Sequence, residues 1–105
     1  MNYLDNEGYP TDEYLQMIQD YKPEVIPIMD MVNIICENWY YEWVKLGRKY
    51  GGVRKLELHT AGWSGNEEII RTILSNIYLT HFKMTYRKWI TGGHYYFEID
   101  LISEK

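Results

Sequence analysis

A chain of 105 residues has room for one folded domain and little more. Its 46% hydrophobic content, with eleven Tyr and four Trp, excludes a disordered chain and supplies a core, because a domain of this size buries roughly 60–65% of its extended-chain surface. The formal charge of -4 and pI near 5.3 exclude a global pull toward DNA, RNA or anionic lipid, and the one cysteine, Cys36, excludes an intrachain disulfide and any multi-cysteine metal site.

The first residues, Met1-Asn2-Tyr3-Leu4-Asp5-Asn6-Glu7, lack the basic and apolar regions of a signal peptide, and no stretch approaches the roughly 18 apolar residues of a membrane span. The expectation is a cytoplasmic protein without membrane contact. Residues 1–10 are polar and end in Gly8-Tyr9-Pro10, which reads as a flexible arm on a domain covering 1–105. Thr11 or Asp12 can cap a helix running to about Tyr21, with Tyr14, Leu15, Ile18 and Tyr21 on one side. Pro27 suits the first turn of a second helix. From there Ile28, Met31, Val32, Ile35, Cys36, Trp39, Trp43 and Leu46 recur at helical spacing, so one long helix is predicted up to Gly47. Cys36 lies within it as a small buried hydrophobe. Gly51-Gly52 closes the region.

Val53 to Leu58 alternates as a strand, with Leu56 and Leu58 inward and Lys55, Glu57 and His59 outward. Ser64 followed by Glu67 reads as a capping box for a third helix. That helix presents Ile70, Ile73, Leu74 and Ile77 inward, carries Glu67, Glu68, Arg71 and Asn76 on its polar face, and reaches about Leu79 or Phe82. Two β-rich runs, 85–91 and 94–100, flank Gly92-Gly93, whose freedom to take positive φ suits a hairpin turn. With those two glycines as the loop, Thr91 faces His94, Trp89 faces Tyr96 and Arg87 faces Glu98. The predicted fold is α+β: helices on one face of a small, mainly antiparallel three-stranded sheet, in the order α-α-β-α-β-β.

The blocks Leu58 to Ile70, centred on Gly62-Trp63-Ser64-Gly65, and Gly92-Gly93-His94-Tyr95-Tyr96-Phe97-Glu98-Ile99 resemble small proteins carried by phages and prophages of Gram-positive bacteria. With the helix between them they cover about the last half of the chain. That family has no assigned activity or catalytic residues. The resemblance therefore implies a phage accessory role and carries no mechanism.

The residues themselves point to one surface. Arg87, Trp89, His94, Tyr96 and Glu98 share a predicted sheet face with His59, and Trp63, between Gly62 and Gly65, is a candidate lid or stacking residue whose commoner role is a hydrophobic staple against the following helix. Trp, Tyr and Arg dominate protein interfaces, and an acidic chain meets a protein without needing a positive field. The leading expectation is a non-enzymatic protein-binding module whose partner is a host or phage protein, or a second copy of the chain. The same aromatic and basic residues admit nucleic-acid stacking, which the acidic balance opposes. His59 or His94 beside a carboxylate admits a small hydrolase or transferase. A purely structural assembly component is the fourth reading. Neither a phosphate-loop signature nor metal-ligand spacing among His59, His81 and His94 is present, so no cofactor and no metal are expected.

Overall fold

The computed structural model describes residues 3–40, 43–90 and 93–101, with the backbone alone at 81, 82 and 88–90. Helix α1 (Asp12–Gln19) begins where Thr11, in extended conformation, accepts a hydrogen bond from the Tyr14 amide, and Asp12 and Glu13 meet its positive end. Helix α2 (Ile28–Glu37) starts after Pro27. Strands β1 (Val44–Leu46) and β2 (Val53–His59) follow, then α3 (Ser64–Ser75), a π-helical turn (Tyr78–Lys83), and strands β3 (Met84–Ile90) and β4 (His94–Asp100). All three strand pairings are antiparallel, in the order β1-β2-β4-β3.

The α+β class is as predicted, with four strands rather than three. The extra strand comes from the predicted long helix. That helix ends at Glu37, and Val44–Leu46 instead pairs with Leu56–Leu58. The helix stops because Asn38 folds its amide back onto the Ile34 carbonyl (2.9 Å) while its Oδ1 takes the Tyr3 amide (2.7 Å). Trp39 then donates its indole N–H to the His59 carbonyl of the sheet (3.1 Å). Gly51 and Gly52 form the turn between β1 and β2, both with positive φ, as a tight primed hairpin turn requires. Tyr50 and Val53 exchange backbone hydrogen bonds across it.

Two expectations for α3 are also corrected. Its N-cap is Trp63, with no side-chain capping bond, so Ser64 and Glu67 do not make a capping box. The helix ends at Ser75, where Asn76 turns inward instead of joining the polar face, and Leu74 and Ile77 are exposed. Asn76 Nδ2 donates to the carbonyls of Ile18, Gln19 and Tyr21, satisfying backbone acceptors at the end of α1.

The core lies between the helices and one face of the sheet. Tyr14, Ile18, Ile28, Met31, Val32, Ile35, Ile69 and Ile73 meet Leu56, Leu58, Phe97, Ile99 and Met84, all essentially fully buried. The predicted inward residues of β2 and β4 are therefore the ones that pack. Over 3–10 the predicted arm closes on itself through a Leu4–Pro10 bridge, and Thr11 donates to the Tyr3 carbonyl. Residues 1 and 2 lie outside the described residues.

Cys36 is half-buried beneath this layer. Burial pushes its thiol up to about 11, with Glu37 adding to the shift and Arg54 opposing it. The folded chain thus holds the proton that the unfolded chain releases first. Stability is expected to be intact below about pH 9 and to fall as pH rises toward about 11. Urea unfolding at pH 8 and pH 10.5 tests this: Cys36→Ala should flatten part of the alkaline decline, and an unchanged pH slope in that variant contradicts it.

Candidate polar sheet face

Period-two alternation puts Leu56, Leu58, Phe97 and Ile99 into the core and leaves Lys55, Glu57, His59, His94, Tyr96 and Glu98 on the other face of the two central strands. Register then decides who meets whom. His59 pairs with His94, Glu57 with Tyr96, and Lys55 with Glu98. The His59 amide donates to the Trp43 carbonyl on the β1 side, while the next residue, Thr60, donates to Gly93 of the hairpin. His59 and His94 thus form a non-hydrogen-bonded cross-strand pair, the kind in which opposed side chains approach most closely. Their Nδ1 atoms are 2.7 Å apart. On its other nitrogen, His59 Nε2 lies 3.3 Å from Glu57 Oε1.

This contact constrains the protons. When His59 carries its proton on Nε2, the nitrogen nearer Glu57, its Nδ1 is an acceptor and His94 donates from Nδ1. The result is a row running from Glu57 through His59 to His94. The sequence put both histidines on one face; their adjacency follows from β2 and β4 being neighbours.

The hairpin register differs from the predicted one. Ile90 faces His94, Trp89 faces Tyr95 and Lys88 faces Tyr96, so the pairing expected of Trp89 with Tyr96 is off by one residue. Thr91, expected opposite His94 where Ile90 stands, and Gly92, expected in the turn, lie outside the described residues, as does the Trp89 side chain. Further along, a bulge between Tyr86 and Lys88 restores the core phase: Thr85 takes the place opposite Glu98 that Arg87 was expected to hold. Arg87 nonetheless reaches Glu98, with Nε 3.2 Å from Oε1. At the turn, Gly93 has φ of 84°, and any Cβ there would run into Thr60 Oγ1.

Lys55, Leu56, Glu57, Arg87, Tyr96, Phe97 and Glu98 line an open groove of about 360 Å³ on this face. The charges alternate in sign: Lys45 pairs with Glu57, and Glu98 is bracketed by Lys55 and Arg87. Neither histidine lines the groove. Among the described residues, no group of three or more His, Cys, Asp or Glu gathers to hold a metal ion, and no helix is long and apolar enough to cross a membrane.

Trp63 belongs to another cluster. Its ring packs against Tyr9 (centres 4.7 Å apart) and Tyr40 (5.2 Å), fastening the N-terminal loop to the start of α3. Close by, Asn66 exchanges hydrogen bonds with the Tyr40 backbone, both 3.2 Å. A helical asparagine is an ordinary surface residue on sequence grounds, so nothing in its spacing signalled that role.

Taken as a class, this is an α+β protein with helices on one side of an antiparallel sheet and a charge-alternating polar surface on the other. Compared with protein-family models, with curated proteins and with solved structures, the chain matches none.

Proposed function

We propose that the protein binds another protein through the polar face of its central strands, without catalysing a reaction. The observation that carries this reading is the groove beside Tyr96, floored by the β2 and β4 backbone at Leu56 and Phe97 and rimmed by charges of both signs. Such a surface offers aromatic area at its centre and paired charges at its rim, the composition of a protein interface. Nucleic acid needs an excess of positive charge along a track, whereas Glu57 and Glu98 sit among the cations here. A hydrolase needs its base facing the bound substrate, and the groove contains no imidazole.

The partner is a folded protein with mixed surface charge. The resemblance of the Gly62–Gly65 and Gly92–Ile99 blocks to phage and prophage proteins favours a host or phage protein, which makes this chain an accessory factor of that setting. Capture from host-cell lysate, followed by titration of the purified partner, tests the reading. Arg87→Ala with Tyr96→Ala is expected to weaken binding at least tenfold while melting close to wild type. Equal binding by that folded variant contradicts the assignment. Capture of nucleic acid whose affinity collapses with added salt contradicts it too, and self-association alone would make the partner a second copy.

A further inference from the structure

We infer that His59 and His94 form a two-point site for a divalent transition ion, Cu(II) foremost. Three observations converge on it. First, the two Nδ1 atoms are 2.7 Å apart on neighbouring central strands, at directly opposed register positions. Two nitrogens bound at about 2.0 Å to one ion stand roughly 2.8–3.3 Å apart, so both imidazoles lie within reach of a common ion, and among divalent first-row ions Cu(II) binds nitrogen ligands most strongly.

Second, Glu57 lies on the far nitrogen of His59, 3.3 Å from Nε2. Ligating histidines characteristically donate their remaining ring N–H to a carboxylate, which fixes the tautomer and strengthens the ligand. The tautomer that this carboxylate selects, with the proton on Nε2, is the one that leaves Nδ1 free for an ion. Third, the backbone beneath both residues is held. The His59 amide bonds to Trp43, its carbonyl accepts from the Trp39 indole, and Thr60 bonds to Gly93.

Ion entry requires little rearrangement. The rings meet at 67° with centres 4.9 Å apart and nitrogens facing one another, so each ring must turn for its lone pair to converge on a common point. The histidine χ2 torsion is broad and permits this. The proton shared between the two Nδ1 atoms moves to His94 Nε2 through water, so both imidazoles remain neutral and the ion brings its own charge. Water fills the remaining coordination positions. This inference does not depend on the protein-binding reading.

Titration of the intact chain with Cu(II), followed by continuous-wave and pulsed electron paramagnetic resonance, tests it. One strongly bound ion coupled to two imidazoles is expected. His59→Ala and His94→Ala should each weaken binding at least tenfold, and Glu57→Gln about tenfold, an outer-shell loss. Two outcomes overturn the inference: fewer than two coupled imidazoles in the wild-type spectrum, or folded histidine variants that bind Cu(II) as tightly as wild type. The wild-type spectrum decides even if an alanine variant fails to fold.

Discussion

Replacing Phe97 by Ala is expected to remove roughly 3–5 kcal/mol of stability, a large share of the 5–15 kcal/mol a domain typically possesses. Phe97 is 1% exposed on a central strand, opposite Leu56 in register and with its ring 5.5 Å from that of Tyr86. Truncation removes apolar area and leaves a cavity that two hydrogen-bonded neighbouring strands cannot collapse. Urea unfolding should show a lower midpoint with an unchanged slope. A loss below about 1 kcal/mol would mean that β4 turns its other face to the helices, and the polar face described above would have to be abandoned.

Asn76→Asp is expected to be comparably severe, at about 3 kcal/mol or more, although the two side chains have nearly the same shape. Asn76 is 5% exposed, donates to three carbonyls at the end of α1, and accepts the Leu79 amide through Oδ1 (3.1 Å). A carboxylate keeps the acceptor but turns its second oxygen, a negative one, toward three other oxygens. Asn76→Ala should cost about 2–3 kcal/mol by leaving buried backbone groups unpaired. Chemical denaturation at pH 7 separates the causes. If Asn76→Asp is tolerated while Asn76→Ala is not, volume rather than donation matters at this site, and the account of the α1 terminus fails.

These two positions also mark what the sequence made legible. Phe97 was readable because its partners repeat the same two-residue period: Leu56, Leu58 and Ile99 alternate with charged residues, and only one phase buries apolar surface. Asn76 was not, because its meaning rests on carbonyls 55 to 58 residues earlier in the chain. The same holds for Asn38 and Asn66, whose partners are 35 and 26 residues away. Local propensity treats asparagine as a turn or surface residue; only tertiary structure reveals it as a backbone staple.

The segment from Trp39 to Leu46 failed differently. Trp39, Trp43 and Leu46 are spaced by four and three, which fits a helix, but a three-residue strand is too short to show its own alternation. Pairing with β2 decided the outcome. At the candidate surface, the residue types on β2 and β4 were legible and their neighbourhood was not. Gly92-Gly93 signalled a hairpin correctly, but the bulge at Arg87 is set by the demand that both Trp89–Tyr95 and Met84–Ile99 stay in register around it.

The protein-binding claim is tested most directly by mapping amide and imidazole chemical shifts of this chain as a purified partner is added. The account predicts that the changes gather on Lys55, Glu57, His59, His94, Tyr96 and Glu98 and fade across the outer surfaces of α1 and α3. Changes concentrated on those helices, with the β2 and β4 polar face unmoved, would contradict it.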